Sequence, residues 1–483
     1  MGQTYDAVVV GTGPNGLAAA ITLAREGCSV LVFESAETVG GGARTRELML
    51  PGFRHDVCSA VHPMAAASPL IRSLPLDRYG VTYLESPAAL AHPMDDGSVA
   101  LLERDVSASA EGLGIDQDAY SSRIGPLVAA AEELFPVLLG PLRLGKNPLK
   151  LARFGSSALR SAESLASSWF RGGAARALFA GCAAHASVKL DSPGSAAIGL
   201  VLMMAAHAVG WPLIRGGSQM LVDAMARHLE GLGGRIELGR RVASLTDLPR
   251  ARAVLFDISP AALLRICGER LPSSYRDKLA AFRPGPGVFK LDWALGASIP
   301  WTNPACSRAA TLHLGGTFEE IALGEAQIDG GQPARRPLVL LVQPSLFDPT
   351  RAPRDRHTAW AYCHVPRGSR DDWTDAIEGQ VERFAPGFRE RIIGRHSLSP
   401  AALEKYNENY VGGDITGGAN HLLQLFARPV ASMVPYSVQA PGMYLCSSST
   451  PPGAGVHGMC GYHAARAALR QVFGRRIPLA PHD

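Results

Sequence analysis

The chain opens with two different hydrophobic rhythms. Ala7–Val10 is an unbroken, mostly β-branched apolar run, which predicts a parallel strand buried on both faces. Leu17, Ala20, Ile21 and Ala24 then recur with helical spacing, predicting a helix over Asn15–Glu26. Ser29–Phe33 is a second apolar run and ends on Glu34. Farther along, residues 76–212 read as mostly helical, and Ser192–Ile214 holds 23 residues without Asp, Glu, Lys or Arg. That length is enough to cross a bilayer. A single crossing, however, would separate the two ends of the chain, which carry the parts of one site described below. Ala196–Ala208 is therefore expected to be a buried helix lining an apolar cavity, ended by Trp211–Pro212. Residues 286–429 show strand-like alternation, as in Leu338–Val342 and Thr358–His364. Ser218 is a plausible N-cap for the helical stretch that follows it.

The turn between the first strand and helix carries Gly11, Gly13 and Gly16 in GxGxxG spacing, with Pro14 and Asn15 at the helix start. The first glycine allows the tight turn, the second lets backbone approach a pyrophosphate, and the third lets helix and strand pack closely. The helix N-terminus offers free N–H groups and a positive dipole end to phosphates. Glu34, 18 residues after Gly16, is placed to accept ribose hydroxyls of an adenosine and would repel a 2′-phosphate. Gly40–Thr45, GGGART, follows at once, with Gly41, Gly42, Ala43, Arg44 and Thr45 forming a second phosphate-facing loop. A second loop suits FAD better than NAD. No second GxGxxG follows a strand elsewhere, so no dedicated NAD(P)H domain is expected. A reduced flavin would then pass electrons to oxygen, a quinone or another acceptor.

This succession of motifs resembles the flavoprotein superfamily of amine oxidases and phytoene desaturases. Three further stretches carry the likeness: Arg215–Leu245 with its RGG-helix-GG-strand pattern, the string FRHDVCSAVHP at 53–63, and Met443–Leu469, a strand, a Gly/Pro turn and a helix opening near Val456 and His457. The resemblance implies an α/β fold. A Rossmann-like FAD-binding domain of the amine-oxidase type (residues 1–75, 213–285 and 430–475) would be interleaved with an α+β substrate domain under a helical cap (76–212 and 286–429). It also implies that Val242 and the strand Arg235–Leu238 complete the adenosine side, and that Gly455, Val456 and His457 face the flavin. In one place the chain departs from the family, which often has glycine after the cysteine where Ser447 stands here. If that position needs φ > 0, serine fits poorly.

Composition narrows the function. With 483 residues and 47% hydrophobic content, the chain can build two or three cored domains. A net charge of +4 is too small and diffuse to suggest nucleic acid. The 8 cysteines form neither CxxC nor a metal spacing, so reduced thiols, a cytoplasmic setting and no metal are expected. Between Leu134 and Leu190, eight basic residues accompany a single acid, Glu163, and alternate with leucines. A face of this kind over residues 137–176 is either a solvated surface, a homodimer contact, or a peripheral contact with the inner face of an anionic membrane.

The expected chemistry is hydride transfer from a largely apolar small molecule to flavin N5, with a base for the second proton. His457, His62 and Asp56 are the candidates for proton transfer. His207, Trp211, Trp360, Tyr362 and His364 are candidate cavity residues. No Ser-His-Asp arrangement is evident in the sequence. A flavin amine oxidase is the main alternative, and a redox-neutral, isomerase-like FAD enzyme is another. Rab GDP-dissociation inhibitors, flavin-free lipid binders, share the architecture, but retention of Glu34, GGGART and the C-terminal segment argues against that reading.

Overall fold

The computed structural model describes residues 4–143 and 145–478. Its first sheet has five parallel strands in the order Met443–Leu445, Ala251–Phe256, Tyr5–Val10, Val30–Phe33, Arg235–Glu237. Every residue of Val30–Phe33 is buried, as the continuous apolar run requires. The first helix is Pro14–Arg25, one residue earlier than expected at each end, with Pro14 in its first turn where a missing N–H costs nothing. It packs on the last helix, Met459–Val472. Contact is close because Gly461 faces it: a Cβ there would lie 1.8 Å from the Asn15 carbonyl oxygen. The two ends of the chain are thus pressed together beside the glycine-rich turn.

The second sheet has seven strands, in the order Ile392–Leu398, Gly287–Leu295, His357–Val365, Val339–Val342, Ala309–Leu314, Ala88–Pro93, Val99–Glu103. All pairs are antiparallel except Ala309–Leu314 with Ala88–Pro93. Residues 76–212 therefore contribute a hairpin as well as helices, which the helical reading did not anticipate. Side-chain alternation sorts the strands. Leu291, Trp293, Leu312, Leu341, Ala361 and Cys363 enter a core on one face. Alternate positions, among them Thr311, Leu340, Val342, Trp360 and Tyr362, line a cavity on the other.

The Ala196–Ala208 helix covers that cavity, as its uncharged sequence suggested, and contributes Ile198 and Leu202 to the lining. It stops at Gly210, whose φ of 88° breaks the helix just before Trp211. Among the described residues no helix is long and apolar enough to cross a membrane.

Candidate functional site

One cavity of about 960 Å³ runs from the glycine-rich turn to the second sheet. At its first end Gly11, Gly13, Pro14, Asn15, Glu34, Gly41, Gly42, Arg44 and Val242 form the wall. Glu34 closes the end of its strand. One carboxylate oxygen accepts from the Thr12 amide at 3.0 Å and the Thr12 hydroxyl at 2.5 Å. The other accepts from the Ala36 amide at 2.9 Å and lies 3.3 Å from the Arg44 guanidinium. The carboxylate is thereby fixed in the cavity wall.

Asp257, which sequence reasoning missed, lies directly after the Ala251–Phe256 strand and also lines the cavity. It accepts from the Gly16 amide at 2.9 Å, and a Cβ on Gly13 would come within 2.5 Å of the same carboxylate oxygen. Burial, with the nearby Glu34 charge adding to it, pushes Asp257 up to about 7. The available signal was an acid ending a third parallel strand.

Ser447, Ser448, Ser449, Gly455 and Val456 bring the far end of the chain into the same wall. Ser447 is absent from the left-handed non-glycine positions, so serine carries no backbone penalty there. Its hydroxyl and the Asn15 side-chain oxygen are buried without a protein partner. Such orphaned polar atoms beside a glycine-rich wall fit a polar dinucleotide.

The second end is apolar and aromatic. Trp211, Trp360 and Tyr362 line it, with Ile198, Leu202, Leu340, Val342 and His185. The Trp360 and Tyr362 rings stack at 5.8 Å with 16° between planes. His62 sits in this wall. Ser218 Oγ donates to the Ser59 carbonyl at 2.5 Å, so it must accept from His62 Nε2 at 2.8 Å. This tautomer leaves Nδ1 with its lone pair and no protein partner. Burial pushes His62 down to about 4, so the ring is neutral at pH 7.

Comparison with known proteins agrees with this geometry. Residues 9–74 match the model of the NAD(P)-binding Rossmann-like domain. The chain is 27% identical to the pyridine nucleotide-disulfide oxidoreductase domain-containing protein 2 of Rattus norvegicus, covering 97% of this chain and 94% of that one. It is also 27% identical to hydroxyneurosporene desaturase of Cereibacter sphaeroides, covering 97% and 98%. A structure of putrescine oxidase bound to putrescine superposes with a TM-score of 0.62 at 17% identity, covering 98% of this chain and all of that one. The chain is thus similar over nearly its whole length to proteins named as an oxidoreductase and a desaturase, and it shares its fold with putrescine oxidase. All eight cysteines are free.

Several residues singled out from the sequence lie behind the wall instead of in it. His457 is 1% exposed, accepts from the Met459 amide at 3.0 Å through Nδ1 and donates to the Gly453 carbonyl at 3.2 Å through Nε2. Both nitrogens are spent holding the start of the last helix, which opens at Met459, two residues later than expected. Asp56 is fully buried. Burial would raise its pKa, but the Arg351 charge and hydrogen bonds from Arg351, Thr45 and the Ser218 amide hold it below the ordinary carboxylate range. It is a clamp between segments and is not placed as a base.

Thr45 serves the same clamp, Gly16 spends its amide on Asp257, and the Ala43 amide closes a turn onto Gly40. Ser218 occupies the N-cap position without capping, because its hydroxyl serves Ser59 and His62. His207 bonds the Tyr120 hydroxyl at 2.7 Å and the Arg104 carbonyl at 3.1 Å, away from the cavity.

His364 belongs to an arrangement the sequence did not disclose. Its Nδ1 lies 2.9 Å from Glu325 and its Nε2 3.1 Å from the Ser187 hydroxyl. Burial alone would lower His364, but Glu325 outweighs it and raises the pKa. Neither Ser187 nor His364 is part of the cavity wall, and His364 packs behind Tyr362, which is, with 5.9 Å between ring centres.

Proposed function

We propose that the protein is an FAD-dependent oxidoreductase of the desaturase or dehydrogenase type, acting on a largely apolar small molecule. The observation that carries this reading is the continuity of one cavity from the Gly11–Gly16 turn, past the C-terminal Ser447–Val456 segment, to a chamber walled by Ile198, Leu202, Trp211, Leu340, Val342 and Trp360. Glu34 would hold the adenosine ribose, and the free amides and glycine-lined wall at the helix start would hold the diphosphate. Bound FAD supplies the hydride acceptor. The chamber orients the substrate C–H bond and excludes water, and His62 Nδ1 takes the second proton.

A flavin amine oxidase is the second reading, favoured by the stacked Trp360–Tyr362 pair. Against it, the Trp360 ring already has a cation 5.2 Å away, the buried Lys290 ammonium, which Asp292 neutralises at 2.5 Å.

An apolar substrate also gives the exposed face a purpose. Leu142 and Leu149, in the basic stretch, are 78% and 82% exposed, and Leu423 is 85% exposed on the same short helix as the cavity-lining Leu425. Peripheral contact with an anionic bilayer at this face would bring substrate to the cavity without a membrane-spanning segment.

The test is anaerobic mixing of the FAD-loaded protein with apolar polyenes and with amines. Bleaching of the flavin by the former alone supports the reading, and bleaching by amines alone replaces it with the second.

A further inference from the structure

Three arginines are buried among the described residues: Arg44, Arg351 and Arg428. Arg44 faces Glu34 and Arg351 is bonded to Asp56. Arg428, 1% exposed, forms no ion pair with any described carboxylate. Its Nη1 donates to the Asn420 side-chain oxygen at 3.2 Å, and its Nη2 to the Gly417 and Gly418 carbonyls at 3.2 and 3.3 Å. Its Nε has no partner.

The acid of the same loop, Asp414, is spent elsewhere. One oxygen takes the Thr416 amide at 2.7 Å and its hydroxyl at 2.6 Å, and the other takes the Gly285 and Gly418 amides, both at 2.8 Å. The Asp414 charge attracts the guanidinium, but the carboxylate bonds none of its N–H groups, so the unpartnered Nε is left for a ligand that carries negative charge. Arg428 lines the cavity together with Ser447–Ser449 and Pro452. The loop after Pro452 rests on the guanidinium so closely that a Cβ on Gly453 would lie 2.6 Å from Nη1.

We infer that Arg428 is the fixed counter-charge for the hydride-accepting end of the cofactor. The inference rests on the FAD reading above. Breaking the substrate C–H bond sends two electrons and one proton to the acceptor, which gains one negative charge, while the second proton leaves the substrate for a base. A cation preorganised in a water-poor wall favours the charged product without reorganising during the step.

The experiment compares FAD-loaded wild type with Arg428→Met, Arg428→Lys and Asn420→Asp, measuring sulfite binding to the flavin, the midpoint potential and the FAD dissociation constant. Sulfite is a suitable probe because its adduct also leaves a negative charge on the ring. Arg428→Met should weaken sulfite binding at least tenfold and lower the potential by about 30 mV per tenfold for a two-electron couple. Arg428→Lys should restore most of both. Asn420→Asp adds a carboxylate against Nη1 and should reproduce the loss in a chain that keeps its guanidinium, so the inference stays testable if Arg428→Met does not fold.

Sulfite affinity and potential unchanged in Asn420→Asp, or in Arg428→Met with FAD bound, would overturn the inference. A tenfold loss of FAD affinity with both other readouts unmoved would also overturn it, because Arg428 would then answer the diphosphate. Failure of wild type to bind FAD would instead reject the cofactor reading itself.

Discussion

Gly461→Ala probes the closure of the chain ends more sharply than any change in the glycine-rich turn itself. The added Cβ would sit 1.8 Å from the Asn15 carbonyl oxygen and 2.8 Å from the Ala19 amide nitrogen. Ordinary contact begins at about 3.2 Å, so the two helices would have to separate by more than 1 Å, and the obstacle is backbone, which has no rotamer to yield. Overpacking costs about 1–3 kcal/mol in cores where side chains can adjust, and this site belongs at or above the upper figure. A loss of about 3 kcal/mol corresponds to a fall in Tm of roughly 3 °C for a chain of this size unfolding as one unit. Because the displaced helices carry the N-terminal turn and the C-terminal segment, FAD retention should fall as well.

Gly379→Ala is the control. Gly379 lies inside the Thr374–Phe384 helix, has no atom within 4 Å of the added Cβ and no left-handed φ. It should gain about 1 kcal/mol from helix propensity. Thermal denaturation and flavin absorbance after desalting measure both variants. A Gly461→Ala protein as stable and as yellow as wild type would refute the packing argument.

Other predictions are simpler. Glu34→Ala should weaken FAD binding by about 1–3 kcal/mol, the scale of lost hydrogen bonds to a charged group, and titration of apoprotein would measure it. An unchanged affinity removes the ribose assignment. His62→Gln should slow anaerobic flavin reduction while leaving FAD affinity intact. His457→Gln should lower Tm, on the order of 1 kcal/mol for a lost helix-start contact, and equal effects of the two variants on reduction rate would contradict the separation of roles.

Stability should also fall on acidification. Burial holds His55, His62, His92 and His457 at about 4, and His185 and His463 at about 3. The unfolded chain binds protons at these sites near pH 6.5, so their stabilisation is complete above that value and is lost as pH falls toward 4. The limiting slope is about 1.4 kcal/mol per pH unit for each histidine. His364, raised by Glu325, opposes the trend. A Tm that stays flat from pH 7 to pH 5 would contradict the buried, neutral state of these rings.

What was legible in the sequence was local. The first strand, helix and second strand announced themselves because hydrophobic period, glycine spacing and a terminal acid fall within 29 residues. The apolar stretch before Trp211 gave its helix to the residue, since a run with no charge has only the interior to occupy. Polar roles were harder, because they depend on partners far apart in the chain. Ser187 and His364 are 177 residues apart, and Asp56 meets Arg351 across 295.

His457 looked well placed because it precedes a helix beside the cavity, but the ring turns back to hold that helix. His62 and Asp56 share one short segment, yet Asp56 is consumed by Arg351 while His62 keeps a free nitrogen. Asp257 was readable in principle, as an acid closing the Ala251–Phe256 strand, but that strand pairs with the first only in three dimensions.

The most direct test of the account is the visible absorption spectrum of the purified protein, recorded as isolated and again after incubation with FAD and removal of the excess. The account predicts flavin bands with one FAD held per chain. A protein that stays colourless after incubation, or that retains a nicotinamide dinucleotide in place of FAD, would contradict it.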